Sequence, residues 1–171
     1  MDGRLFRDFF GSFPTAVAVV TAVDADGRPR GMTCSALSAV SAEPPLLLVC
    51  LNRGSQTLEA IQTSGAFALN LLGADGEAPA KVFAGSSDDK FAGVRWRPAP
   101  QAGGAPVLLD VAYAHAECSV VRTVEAGDHL VVIGRMDACA VRAEPPVLHQ
   151  RGSFWPWAPE RVSAQAGQAH S

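Results

Sequence analysis

The chain has 171 residues, of which 48% are hydrophobic and 18% are charged. This length allows one domain to bury its own core, and the composition excludes an intrinsically disordered chain. A formal net charge of −3 gives no general attraction for nucleic acid or for an anionic membrane. We therefore expect a soluble protein with one domain over residues 1–158, followed by a disordered tail from 159 to 171.

The cysteines and the N-terminus indicate the cellular compartment. The four cysteines are far apart in the sequence and form no CxxC pair, so we expect reduced thiols in a cytoplasmic protein and no metal site. The N-terminal MDGRLFRDFFGSF carries acidic residues and has no apolar signal-peptide core. No apolar run is long enough to span a bilayer, which predicts that the protein is not inserted in a membrane.

The first half of the chain alternates short strands with one helix. Helical spacing of Leu5 and four phenylalanines predicts an amphipathic helix over residues 4–13. The β-branched run 16–23, the DADG turn and residues 30–40 predict a hairpin. The apolar sequence of residues 46–51 predicts a strand that is buried on both faces. A helix over 55–63 and a strand over 66–72 follow.

The second half of the chain is predicted to be mostly β-structure. A short helix over 78–83 precedes a long surface loop over 85–106, which is rich in Gly, Pro and charge. Residues 112–123 alternate in the manner of a half-buried antiparallel strand, and residues 129–141 form the next strand. Short strands without full-length crossover helices, and the absence of GxGxxG, favour a mainly β, antiparallel, closed or nearly closed barrel over a Rossmann fold.

Two polar segments in this β-framework are candidate ligand sites. The small, hydroxyl-rich segment from Gly31 to Ser38 would let a flat ligand approach the backbone, although a solvated strand face explains it equally well. The segment from Leu51 to Thr57 opens a helix, with Ser55 as a candidate N-cap and Arg53 as a nearby cation. That combination suits a phosphate, and an ordinary capped loop is the alternative.

A third candidate is Gly127-Asp128-His129, at the start of a long strand. A histidine beside an aspartate can act as a general acid or donate a hydrogen bond to a substrate. A turn with an exposed histidine is the alternative. His115, His149 and His170 are interpreted as structural or exposed, and the absence of GxSxG argues against a serine hydrolase.

The order of these segments resembles that of the short-chain flavin reductases, which serve two-component monooxygenases. The resemblance runs from about Phe6 to Phe154 and rests on motifs that occur in the family's order: FPTAVAVVTAVDADGRPRGMTCSALSAVSAEPPLLLVCLN, SQTLEAI, GAFALNLL, KVFAG with DDKF, AECSV and GDHLVVIGRM. It implies an FMN-binding split barrel with short flanking helices that forms a homodimer. It also implies hydride transfer from NADH or NADPH to FMN or FAD, with the reduced flavin passing to an oxygenase component.

The resemblance implies a role for each matched position. Thr33, Cys34, Ser35 and Ala36 would line the isoalloxazine ring, and His129 would lie near the nicotinamide as the catalytic residue. A further set would hold the ribityl phosphate or close that side of the pocket: Leu51, Asn52, Ser55, Thr57, Phe83, Ala84, Lys90 and Phe91. Phe154 would be the C-terminal aromatic residue near the flavin. No metal is implied.

Some positions depart from the family pattern and keep other functions open. The family usually has Gly at Ala16, Ser at Ala36 and an aromatic residue at Leu37, and the tail with Trp155 and Trp157 is bulkier. These tryptophans would stack on the flavin or fill the nicotinamide space; the alternative is that they pack on the barrel or a dimer partner. The alternatives to a reductase are a flavin carrier or sensor, and a pocket recruited for another small-molecule reaction with His129 as acid–base.

Overall fold

A computed structural model describes residues 2–157 of the chain. Within this range there are three α-helices: α1 (Gly3–Gly11), α2 (Gln56–Ser64) and α3 (Glu77–Ala84). The strands of the same range are β1 (Thr15–Ala16), β2 (Ala18–Val23), β3 (Pro29–Cys34), β4 (Leu37–Ala42), β5 (Pro45–Asn52), β6 (Ala66–Leu72), β7 (Trp96–Pro98), β8 (Pro106–Leu108), β9 (Ala112–Ala126), β10 (His129–Val141), β11 (Val147–Gln150) and β12 (Ser153–Pro156).

The main sheet is antiparallel and has seven strands in the order β3-β2-β6-β9-β10-β5-β4. β3 and β4 are consecutive in the chain but lie at opposite edges, and only Ser35 and Ala36 join them. The sheet must therefore curl until its edges approach each other. The Cys50 amide accordingly donates to the Ala36 carbonyl at 2.8 Å. The predicted mainly β, antiparallel split-barrel fold is confirmed.

This curling corrects the prediction of one strand over residues 30–40. The hairpin of β2 and β3 forms as expected, with Val19 opposite Thr33. The chain then leaves β3 and continues as β4, which pairs with β5. Because the break at Ser35 arises from closure of the sheet and not from Gly or Pro, the local sequence does not show it.

The core lies on both sides of β2, which explains its continuous apolar sequence. Val20 faces the barrel interior, where α2 contributes Leu58 and Ile61. Val19 faces a second cluster against α3, which contains the fully buried Phe83. The two clusters fix α2 and α3 beside β3. The ends of these two helices can therefore contribute to a ligand site.

Several predictions of burial need correction. β5 alternates instead of being buried on both faces, because Leu47, Val49 and Leu51 face the core while Leu46, Leu48 and Cys50 are half-buried. In β9 the outward residue Glu117 is buried, and its carboxylate accepts the Gln101 amide at 2.8 Å. Residues 85–106 also contain β7 and a short 3-10 helix, Pro100–Ala102.

The four cysteines are free thiols in different environments. Cys34 and Cys118 are buried, Cys50 is half-buried, Cys139 is exposed, and none forms a disulfide. Within residues 2–157 no helix is long and apolar enough to cross a bilayer. The same residues contain no group of three or more His, Cys, Asp or Glu placed to hold a metal. The predicted tail, 159–171, lies outside the described residues.

Candidate functional site

Two cavities lie on either side of the link between β3 and β4. We call the first the cationic cavity; it measures about 470 Å³ and contains the side chains of Arg30, Ser55, Thr57, Phe83, Lys90 and Phe91 together with the loop 84–88. The aromatic cavity measures about 830 Å³ and is lined by Phe6, Phe10, Phe13, Thr15, Ser35, Ala36, Leu37, Cys50, His129 and His149, among others. Both volumes are in the range of small-molecule sites.

The N-terminus of α2 supplies hydrogen-bond donors to the cationic cavity. Ser55 is its N-cap, and the Ser55 Oγ accepts the Leu58 amide at 3.1 Å. The first amides of a helix have no carbonyl partner within it, and the helix dipole makes this end favourable for an anion. Gln56 and Thr57, the first two residues of α2, both line the cavity.

Two cations flank these amides. The Lys90 Nζ donates to the carbonyls of Gly31 at 3.2 Å and Phe83 at 3.1 Å, which ties the loop 85–90 to β3 and α3. Partial burial lowers the pKa of Lys90. Arg30 is held by Asp24, with Nε to Oδ2 at 2.8 Å, and by Gln56, with Nη1 to Oε1 at 2.8 Å. The cavity is therefore suited to a phosphate.

Close packing of Gly31 forms the wall of the cationic cavity. A Cβ added there would lie 2.8 Å from the Phe83 Cε1 and 3.1 Å from the Phe91 Cζ. The two phenylalanine rings contact edge to face, with centroids 5.0 Å apart. A side chain at Gly31 would push these rings out of place, so the absence of a Cβ keeps the backbone of β3 accessible along the cavity.

The aromatic cavity is bounded on one side by α1. Phe6 and Phe10 are one turn apart with centroids at 4.7 Å, and Phe13 follows on the same side. The opposite wall consists of Ser35 and Ala36, whose side chains are small and exposed. Rings facing an accessible backbone fit a flat heteroaromatic ligand, which can stack on one side and form hydrogen bonds on the other.

His129 is the titratable residue that enters this cavity from β10. Its Nδ1 lies 2.8 Å from the Asp128 Oδ1, and this hydrogen bond lowers the pKa of Asp128. Because the ionised carboxylate only accepts, the Nδ1 donates to it and the Nε2 is left for a ligand. Pairing of His129 with Asn52 holds the ring beside the end of β5.

The structure distributes the fourteen site residues predicted from the sequence over the two cavities and their surroundings. Seven line the cationic cavity: Thr33, Ser55, Thr57, Phe83, Ala84, Lys90 and Phe91. Three line the aromatic cavity: Ser35, Ala36 and His129. Four line neither cavity: Cys34, Leu51, Asn52 and Phe154.

The four residues outside the cavities have other contacts. Leu51 is fully buried in the core. Asn52 is exposed, and its Oδ1 accepts the Gly54 amide at 2.9 Å. Burial raises the pKa of the Cys34 thiol to about 11, so it is protonated at neutral pH. The Phe154 ring contacts His149, with centroids 5.0 Å apart.

Other side chains differ from their sequence interpretation. Arg53 forms an ion pair with Glu125 at 2.7 Å, and Arg30 is the cation that lines the cavity instead. His149, interpreted as structural or exposed, lines the aromatic cavity because β11 pairs with β1. Trp155 and Trp157 are 59% and 50% exposed and line neither cavity.

Comparisons with known proteins agree with this geometry. Residues 10–158 match the family described as "Flavin reductase like domain". The chain is 46% identical to the flavin reductase (NADH) of Kitasatospora aureofaciens over 92% of its own length and 83% of the relative's. It is 42% identical to the flavin reductase (NADPH) of Lentzea aerocolonigenes, covering 90% of this chain and 89% of the relative.

A solved structure shows the same likeness. The NADH:FAD oxidoreductase SgcE6 of Streptomyces globisporus C-1027, in complex with NAD and FAD fragments, superposes with a TM-score of 0.85. The identity is 34%, over 93% of this chain and 95% of that one. Other relatives include reductase subunits of flavin-dependent monooxygenases. The chain therefore belongs to the flavin reductase family, and its homologues are NADH- and NADPH-dependent flavin reductases.

Proposed function

We propose that this chain oxidises NADH or NADPH, reduces FMN or FAD by hydride transfer and supplies the reduced flavin to a partner monooxygenase. The observation that carries the proposal is that the two cavities meet at the same two chain segments. Thr33 lines the cationic cavity and Ser35 the aromatic one. Likewise Cys50 lines the aromatic cavity and Gly54 the cationic one. One flavin can thus reach both cavities across these short links.

The residues fit the two ends of a flavin. The phosphate end would lie in the cationic cavity, where α2 amides, the Ser55 hydroxyl and Lys90 supply donors. The Thr33 hydroxyl is already donated to the Ala80 carbonyl at 2.6 Å, so Thr33 positions β3 and offers its backbone. The ring would lie in the aromatic cavity against Ser35 and Ala36.

The bound flavin and the nicotinamide supply the electron chemistry, and the protein supplies orientation and a dry environment. Phe6, Phe10 and Phe13 line the cavity and would provide surfaces on which the ring can stack. The Asp128 carboxylate fixes the orientation of the His129 ring, so that its Nε2 can donate to or accept from a nicotinamide carboxamide. No side-chain nucleophile is needed for this reaction.

An initial-rate matrix with NADH, NADPH, FMN and FAD tests the proposal. We expect oxidation of the nicotinamide above background with at least one pair. No oxidation with any pair would overturn it. Titration of flavin fluorescence then separates the alternatives: quenching without turnover would indicate a carrier or sensor, and no quenching would indicate another reaction in the same pocket.

We also propose a cytoplasmic homodimer with an oxygenase component as a transient partner. Four unpaired cysteines are typical of a reducing compartment. Leu5 and Phe9 of α1 are 60% and 65% exposed and lie outside the aromatic cavity. Apolar side chains this exposed are typical of a surface covered by another protein chain. A second copy that packs on them would cover this face of the helix.

A further inference from the structure

Hydride transfer brings together two anionic molecules, and this constrains where their phosphates lie. The flavin carries at least one phosphate, and the nicotinamide dinucleotide carries a pyrophosphate. Their rings must contact each other in one cavity. If the cationic cavity holds the flavin phosphate, as proposed above, the phosphates of the donor require a different group of cations that borders the aromatic cavity.

Such a group borders the aromatic cavity and shares no lining residue with the cationic cavity. A third cavity of about 690 Å³, which we call the terminal recess, is lined by Arg7, Asp8, Gly11, His149, Arg151 and Gly152. Arg7, Gly11 and His149 line the aromatic cavity as well. The aromatic cavity and the terminal recess are therefore adjoining parts of one depression. Phenylalanine rings line the aromatic cavity, and the guanidinium groups of Arg7 and Arg151 line the recess.

Contacts between the chain ends hold the recess together. The Arg151 amide donates to the Gly11 carbonyl at 3.1 Å, and the Gln150 Nε2 donates to the Ser12 carbonyl at 2.6 Å. Register pairing of Thr15 with His149 anchors β11 beside α1. The end of α1 and the turn after β11 thus form a fixed edge, although they are far apart in sequence.

The charge of the recess is positive while that of the chain is negative. Arg7 and Arg151 supply two guanidinium groups. Neither is among the ion pairs formed within residues 2–157. Asp8 supplies one carboxylate, which already lies 4.0 Å from Arg4. The chain as a whole has a formal charge of −3. A local excess of guanidinium groups beside a cavity lined by aromatic rings is suited to phosphate groups.

We propose that Arg7 and Arg151 bind the phosphates of the nicotinamide dinucleotide, whose nicotinamide lies in the aromatic cavity beside His129. This inference rests on the proposed function, since it assigns the second substrate of the same site. The flavin phosphate and the donor phosphates then bind in two separate cavities, and both rings can enter the aromatic cavity together.

Two arginine variants test the assignment at saturating flavin. Arg7→Gln retains a helix-forming residue, and Arg151→Asn removes the guanidinium while tolerating the φ of 49° at this turn. We expect each to raise the KM for NADH about fivefold, as for loss of one exposed guanidinium–phosphate contact. The flavin Kd should stay unchanged and kcat should change less than about twofold. Arg122→Gln, on the exposed part of β9, is the matched control.

ADP-ribose, which carries the pyrophosphate without nicotinamide, gives a readout that does not need turnover. We expect calorimetry to show that it binds the full-length protein and that each variant weakens this binding about fivefold. An unchanged KM and ADP-ribose affinity in both variants would overturn the assignment, as would an equal loss of flavin affinity. Absence of reductase activity in the unaltered protein, with intact ADP-ribose binding at Arg7 and Arg151, would instead contradict the proposed function alone.

Discussion

At the scale of single residues, the short hydrogen bond between His129 and Asp128 gives His129 a defined orientation in the aromatic cavity. The carboxylate accepts from the Nδ1 at 2.8 Å. It is 88% exposed, so the bond orients the ring more than it stabilises the fold. We therefore expect His129 to contribute to the position of the nicotinamide and not to the binding of flavin.

Replacement of His129 tests this role. His129→Ala should lower kcat/KM for NADH by about tenfold or more, as expected for a lost orienting hydrogen bond, and should change the flavin Kd less than about twofold. Asp128→Asn should give a smaller loss, since the amide no longer fixes one tautomer of the ring. An equal loss of flavin affinity and turnover in His129→Ala would argue against the assignment.

Lys90 gives a pH dependence whose sign follows from its environment. Burial lowers its pKa below the ordinary value of 10.5. The ammonium therefore loses its proton at a pH where an exposed lysine is still charged, and its attraction for phosphate is lost as the pH rises. We expect the affinity for FMN to fall as the pH rises, and to begin falling at pH values below 10.5. The affinity for riboflavin, which lacks the phosphate, should stay constant.

Lys90→Arg is the matched variant for this measurement, because a guanidinium remains charged over the whole range. Its affinity for FMN should lose the dependence on pH, even if the absolute value changes. Parallel pH curves for FMN and riboflavin in the unaltered protein would show that Lys90 does not bind the phosphate.

At the scale of elements, two glycines distinguish the requirements of the site from those of the fold. Gly31 on β3 faces Phe83, and Gly134 on β10 faces Phe67, with an added Cβ at 2.8 and 2.6 Å respectively. Both rings are fully buried, so neither can move freely. Only Gly31 borders the cationic cavity.

Alanine at either glycine should therefore destabilise the protein, and only alanine at Gly31 should affect the binding of flavin. We expect Gly31→Ala and Gly134→Ala each to lower the free energy of unfolding by about 1–3 kcal/mol through overpacking. Gly31→Ala should also lower the affinity for FMN several-fold, because the displaced rings of Phe83 and Phe91 would narrow the cationic cavity. Denaturant titration and fluorescence quenching provide the two values. Equal flavin affinity in both variants would contradict the proposed position of the phosphate.

Some strands have the bounds that the sequence predicts, and others do not. β6 and β10 have the predicted bounds, since turn residues and alternation define them locally. The hairpin of β11 and β12 was missed because Arg151, at φ 49°, precedes Gly152 in place of the usual Asn or Asp. His149 was missed for a related reason: its partner Thr15 lies 134 residues away, and no local pattern reports that pairing.

At the scale of the whole molecule, the order of motifs predicted the family and the split barrel better than it predicted the walls of the site. Ser55 and Lys90 could be predicted to lie near a cavity because each belongs to a short polar segment that stands out locally in the sequence. The sequence predicted Arg53 as the cation near the phosphate, but Arg30 lines the cavity instead. Arg53 forms an ion pair with Glu125, and the local sequence does not show that pairing. Long-range pairs of this kind are decided by the folded chain.

The proposed dimer is also a property of the whole molecule. Light scattering at micromolar concentration should give twice the chain mass of 17.8 kDa. Phe9→Glu should shift the protein towards monomer, because it places a charge on an apolar surface that would be buried. Val141→Glu, at another exposed apolar residue, is the control and should remain dimeric. A monomeric unaltered protein would refute the prediction.

Reduction of bound flavin by the nicotinamide donor decides whether this chain is a flavin reductase. Under anaerobic conditions, FMN or FAD mixed with this protein and NADH or NADPH should lose its yellow absorbance much faster than in the protein-free mixture. His129→Ala should slow this bleaching without releasing the flavin. Flavin that binds, as shown by quenched fluorescence, and yet keeps its absorbance with both donors would contradict the assignment of this chain as a reductase.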